Sequence, residues 1–260
     1  GGSIGVGADN SSTTFSGRLT GAGGLWKYGS GTMTLSGAAN DQTGTTHLVG
    51  GTLAVSDDGS FGAPTVGVAF NGGTLRVNYP LAATDRPFVL DAAGGTIDMG
   101  TSFELTHALS GTGDLTVTGA GKSLTLSGDS SAWTGNLIVA PQASLVMVNG
   151  AKLGSQTRLT LQTGTYRSVL KMWEDVSLGS LDGGGNVEMN GCTLTVGLDD
   201  TDTAYSGSML NNSAEPGSLV KTGSGTMTIT GRLSFTGGTT INAGWLTASG
   251  ADERLPDTGM

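Results

Sequence analysis

Two histidines, His47 and His107, bound the acid–base chemistry that this chain could perform near neutral pH. A Ser-His-Asp triad would have to use one of them, and no Gly-x-Ser-x-Gly elbow presents a nucleophile. Cys192 shares its side of the run Gly191–Val196 with Leu194 and Val196, which makes it a small core residue rather than a reactive thiol. Asp98, Glu104, Asp114 and Glu188 alternate outward on strand-like runs. They are the carboxylates that a glycosidase or polysaccharide lyase would need, provided two of them were neighbours.

Other motifs resolve into scaffold. Gly119-Ala120-Gly121-Lys122-Ser123 resembles a phosphate loop, but Thr116 stands where the first glycine belongs and no helix follows. Gly111-Thr112-Gly113-Asp114 is a single fragment of a calcium nonapeptide, which works only in tandem. Asp199-Asp200-Thr201-Asp202 offers oxygen ligands but reads as a solvated acidic loop. No metal site, cofactor or catalytic residue is assigned. Leu255-Pro256-Asp257-Thr258-Gly259 matches a sortase signal but continues the register of an upstream turn, so it reads as a coil-to-coil turn. Thr-x-Thr pairs such as Thr32-Met33-Thr34 and Thr226-Met227-Thr228 suggest an ice-binding array, yet they do not recur coil after coil in the sequence. The residue types best suited to binding a partner are Tyr166, Arg167, Lys171, Trp173 and Glu174. Asp199, Asp200, Asp202 and Tyr205 join them, in what reads as a long polar loop from Asp199 to Gly217.

Composition decides what elements carry these residues. The chain has 260 residues, of which 47 are glycine with no Gly-X-Y period, so collagen is excluded. Apolar residues are 36% and charged residues 13%, which argues against disorder. A net charge of −9 with scattered Lys and Arg excludes nucleic acid as a partner. No apolar run approaches the ~20 residues of a membrane-spanning helix, so no direct membrane insertion of this segment is expected. Large apolar residues alternate with Thr or Ser, as in Leu124-Thr125-Leu126-Ser127, which is the period of half-buried strands. Glycines punctuate these short runs at close and even spacing. That texture fits a parallel β-solenoid better than a sandwich, because glycine supplies the corners between strands.

One segment occurs twice, 194 residues apart. Leu25-Trp26-Lys27-Tyr28-Gly29-Ser30-Gly31-Thr32-Met33-Thr34-Leu35-Ser36-Gly37 parallels Leu219-Val220-Lys221-Thr222-Gly223-Ser224-Gly225-Thr226-Met227-Thr228-Ile229-Thr230-Gly231. The second copy continues as Phe235-Thr236-Gly237-Gly238-Thr239-Thr240-Ile241-Asn242-Ala243-Gly244-Trp245-Leu246. This resembles the autotransporter-associated β-strand repeat. The first copy departs from it at Gln42, in place of an aromatic residue, and at His47, in place of Ile. A degenerate third copy runs from Gly111 to Leu145.

The resemblance implies an all-β, single-stranded, right-handed parallel β-helix of about a dozen coils, about 55–60 Å long at ~4.8 Å per coil. Residues 1–260 are expected to be one segment of a longer passenger domain, followed in the full-length protein by a C-terminal outer-membrane barrel. The resemblance further implies a non-enzymatic passenger, secreted or held at the bacterial cell surface after export through the outer membrane. Such a passenger would act in adhesion and virulence, in self-association or as a display stalk. Its partner would be a host matrix protein, a glycan or a second copy. The alternative is a carbohydrate-active enzyme on the same scaffold.

Overall fold

The computed structural model describes residues 2–37, 39–79, 83–249 and 255. Strands of two to five residues follow one another along the chain, and every ladder between them is parallel. They stack as a β-solenoid of about eleven turns. The exception to parallel pairing is an isolated antiparallel bridge between Thr163 and Arg167, at the neck of a small loop.

One face is a single twelve-stranded sheet, from Thr13–Phe15 to Trp245–Ala248. The two repeat copies lie nine steps apart on it, with Thr32–Leu35 second and Thr226–Ile229 eleventh. Another face begins with six strands, from Ile4–Val6 to Leu109–Gly111. The same place in later turns is taken by a two-stranded and then a four-stranded sheet. Among the described residues the third face has eight strands, the first at Ala83–Thr84. The cross-section is therefore a triangle whose third side, among the described residues, has no strand in the first turns.

There a short 3-10 helix, Asp58–Phe61, substitutes for a strand. Arg86 holds this excursion in place. Its guanidinium is buried and donates to both carboxylate oxygens of Asp58 at 2.8 Å, and to the carbonyls of Asp58, Gly62, Ala63 and Val66. It also lies 5.4 Å over the Phe61 ring.

The core follows from alternation. In the long face Met33, Leu53, Leu75, Ile97, Val117, Val139 and Leu161 stack in register, all buried. Each turn thus covers the apolar side chains of its neighbours. Trp133, from the degenerate third copy, is fully buried and donates its indole N–H to the Gly113 carbonyl at 3.1 Å. Cys192 is a core residue, as its alternation indicates, and burial, with Asp175 and Glu174 nearby, pushes its thiol up.

The stretch from Asp199 to Gly217, read from sequence as one loop, contains two strands, Thr203–Tyr205 and Ser208–Leu210. Its polar residues alternate with inward-facing Tyr205, Gly207 and Met209, and a short polar run hid that period. Leu255 packs partly buried against the core. The rest of the sortase-like motif, Pro256 to Gly259, lies outside the described residues.

Candidate functional site

The repeat motif's lysine is the most unusual group in the structure. Alternation from Leu25 turns Lys27 inward, and it is 0% exposed. Its ammonium donates to the Tyr28 carbonyl and, at 3.3 Å each, to those of Gly29 and Gly50, one turn further along. Lys221 does the same with Thr222, with Gly223 at 3.0 Å and with Ala243 at 3.4 Å. Burial lowers the affinity of both amines for their protons, and around Lys221 Asp200, Asp199 and Asp202 oppose that. The corner must be glycine. Gly51 has φ +60, and a Cβ there would stand 2.4 Å from the carbonyl oxygens of Gly29 and Gly31 and 2.8 Å from the ammonium. Each lysine therefore stitches two consecutive corners by satisfying carbonyls that no strand pairs.

The acidic stretch before the second copy belongs to the same construction. Asp200 accepts from the Ser224 N–H at 2.7 Å and its hydroxyl at 3.1 Å, which holds its carboxyl below the usual range. Asn10 occupies the matching corner of the first copy and accepts from Ser30 N–H at 2.9 Å and its hydroxyl at 3.3 Å. Asp202 accepts from Thr226 N–H at 2.7 Å, as the Ser12 hydroxyl does from Thr32 N–H at 3.0 Å. Asp199 closes a local turn onto the Thr201 N–H and hydroxyl at 3.1 and 2.9 Å. These carboxylates cap backbone where the ladder is interrupted.

The nine residues singled out from sequence do not form one site. A turn of about 22 residues spreads them around the triangle. Tyr166 and Arg167 sit at the corner before strand Val169–Met172, and Trp173 and Glu174 at the corner after it. Asp199, Asp200 and Asp202 occupy the remaining corner. Arg167 donates to the Gly184 carbonyl, and Glu174 accepts from the N–H groups of Gly150 and, at 2.9 Å, Ala151. Tyr205 is fully buried, and its hydroxyl donates to the Gly185 carbonyl at 2.7 Å. Burial pushes that phenol well above its ordinary range. Its alternation with Thr203 in a short strand, unseen in sequence, takes it into the core.

Exposed aromatic surface remains at Tyr166 (67%) and Trp173 (62%), which flank the strand that carries half-buried, outward-facing Lys171. In register, Lys171 lies between Val146 and Glu188. A second aromatic group was not anticipated. Trp26 stacks on His47 with centroids 3.8 Å apart and on Tyr28 at 6.1 Å.

The outward carboxylates are engaged one by one. Asp98 pairs with Arg76 at 2.6 Å, Glu104 accepts from the Ser127 hydroxyl, Asp114 from Asn136 N–H at 2.9 Å, and Glu188 from Asn212 at 3.1 Å. His107 faces Asp85 at 3.5 Å. Among the described residues no three His, Cys, Asp or Glu side chains gather as metal ligands. The recess beside Lys152 and Asp175 has about 160 Å³, below the ~300–1,000 Å³ of ligand pockets.

Comparison with known proteins gives two matches. The model of the passenger-associated-transport-repeat family matches residues 25–55 and 219–248, the two repeat copies, and leaves out the degenerate third. The Adhesin BmaC autotransporter of Brucella suis biovar 1 (strain 1330) is 32% identical over 266 residues, covering 95% of this chain. The chain spans 8% of that relative's length. No solved structure matches.

Proposed function

Since the chain is a stretch of autotransporter passenger carrying passenger-associated-transport repeats, we propose that it acts as an adhesin, without catalysis, by lateral contact along the rod. A passenger of this kind is exported through the outer membrane and is displayed at the cell surface or secreted. The observation that carries the reading is the similarity to an adhesin autotransporter along nearly the whole chain. We read residues 1–260 as one continuous β-helical segment of a longer passenger, with an outer-membrane barrel C-terminal to it in the full-length protein.

The surface best suited to adhesion is the strip from Tyr166 past Lys171 to Trp173, whose two exposed aromatics and two cations, Arg167 and Lys171, suit a glycan or a matrix protein. The cross-strand neighbours of Asp98, Glu104 and Glu188 are not carboxylates, which supports a non-catalytic role, since a glycoside hydrolase uses two carboxyl groups about 5–10 Å apart. The test is a glycan and matrix-protein array probed with the rod and with a Tyr166→Ser, Trp173→Ser double variant. Both positions are exposed, so the variant should fold normally. Binding by the rod and its loss in the variant are expected. Equal binding by both would remove the strip, binding by neither would leave a display stalk, and cleavage of a bound glycan would establish the enzyme alternative.

A further inference from the structure

The aromatic stack on the six-stranded face ends beside a place where one more planar group fits. Alternation points Trp26 and His47 outward on consecutive turns. Their rings are 3.8 Å apart and 13° from parallel, so they lie face to face and their normals run along the rod. On the far side of Trp26 the register position is Gly5, which has no side chain. The Tyr28 ring folds into that place, 3.1 Å from where a Cβ of residue 5 would stand and 6.1 Å from Trp26. On the far side of His47 the register position is Ala69, followed by Val89. Among the described residues no ring stacks on that face of His47.

The slot so formed has two walls, a floor and one charge. His47 and Val89, both outward and half-buried, are two turns apart. At ~4.8 Å per turn this is about 9.6 Å, and a planar group in contact with both walls takes about 7–8 Å. His47 leans toward Trp26, closer than the turn spacing, which widens the slot. The Ala69 methyl group is the floor, and Gly67 leaves one end open. At the other end the Asp91 N–H donates to the Phe70 carbonyl at 2.8 Å, which continues the register and sets Asp91 beside Asn71. Both of these side chains are exposed, and among the described residues neither has a hydrogen-bond or ion-pair partner. Asp91 is near enough for its charge to act on the His47 ring. No Lys or Arg faces outward from the six strands, since Lys27 turns inward.

We propose that this slot takes the guanidinium of an arginine side chain presented by a partner protein, stacked on His47 and paired with Asp91. A guanidinium is planar, stacks on aromatic faces and matches a carboxylate with two parallel hydrogen bonds. The unpaired carboxylate on a face without cations, in a chain of net charge −9, supplies the charge complementarity. A lysine ammonium is compact and strongly hydrated, and gains the pair without the stack. An uncharged sugar or aromatic ring gains the stack without the pair. One such contact on an open surface is weak, with a dissociation constant of about 1–10 mM. A partner with several arginines, meeting many rods on one surface, adds such contacts up.

The slot goes beyond the adhesin reading above and lies on a different face and different turns from the Tyr166–Trp173 strip, so either can fail without the other. The probe is the peptide acetyl-Gly-Arg-Gly-amide, with lysine or citrulline replacing arginine in two controls. Citrulline keeps the plane and loses the charge. The readout is the His47 ring signal in NMR spectra of the whole rod at neutral pH, with His107, the other histidine, as internal reference. The arginine peptide should shift His47 saturably and leave His107 in place. The lysine and citrulline peptides should bind at least about tenfold more weakly, and so should the arginine peptide to Asp91→Asn. Ala69→Phe fills the slot from within the chain and should abolish the shift, whereas the Tyr166→Ser, Trp173→Ser double variant should bind like wild type. Circular dichroism checks that each variant is folded, and the exposed Asp91→Asn keeps the test decisive if Ala69→Phe does not fold. A wild type without a saturable His47 shift, equal binding of either control peptide, or undiminished binding by folded Asp91→Asn or Ala69→Phe would overturn the proposal. So would binding that is lost in the strip variant.

Discussion

Replacing Lys221 with Met keeps most of the side-chain volume and removes the ammonium. The carbonyls of Thr222, Gly223 and Ala243 then lose their donor at the buried corner beside Gly244. Each orphaned buried acceptor costs about 1–3 kcal/mol, or about 3–9 kcal/mol for three. Against this, the variant no longer buries a charge, which recovers several kcal/mol. The Ala243 bond is also long, at 3.4 Å. The net loss should be about 2–4 kcal/mol, and Lys27→Met should lose a similar amount because its corner is built alike.

The assay is urea unfolding combined with hydrogen exchange. Faster exchange is expected at the amides of residues 222–226 and 242–246 in one variant, and of residues 28–32 and 50–52 in the other. The remaining turns should keep their protection, because contacts in a solenoid run mainly between neighbouring turns. Lys171→Met, on the outward face, is the control and should cost less than about 0.5 kcal/mol. A loss at Lys221 no larger than that control, or exchange that rises evenly along the rod, would refute the idea that this lysine stitches corners.

Two further outcomes are expected. Asp200→Asn should change stability by less than about 0.5 kcal/mol and leave it insensitive to calcium, because Asn10 already does this work at the matching corner; a calcium-dependent melting temperature in the wild type that the variant loses would show a cation site instead. Burial lowers the pKa of His47 below 6.5 despite Asp91 nearby, so the unfolded chain takes up the proton first. The contribution of His47 is fully present above pH 6.5 and is lost as pH falls from there through its folded pKa, and His47→Phe should remove that part of the acid destabilisation. An NMR titration midpoint at or above 6.5 for the His47 ring would contradict this.

The residues show why some features were legible and others were not. Alternation is a local signal, so the sequence located most of the strands and placed Cys192 and the inward leucines. Lys27 alternates inward just as plainly, but burial of a lysine is improbable without a partner. Its partners are carbonyls at the corner of the next turn, which have no signature of their own. A column of threonines on the long face, Thr32, Thr52 and Thr74, stayed hidden for a related reason. Thr32 to Thr52 is a step of 20 residues, and Thr52 to Thr74 a step of 22. No fixed period aligns them, and only one residue of each pair recurs. Tyr205 was misplaced because three residues of strand between polar neighbours leave no readable period.

The sequence alone determined the parallel solenoid and its repeat, because glycine corners and two-residue alternation depend only on chain neighbours. Only the tertiary structure decided which acids cap the next turn, where the buried ammonium ends, and which threonines form a column. Those are contacts between residues about 20 apart, and the number of residues absorbed at each corner sets them.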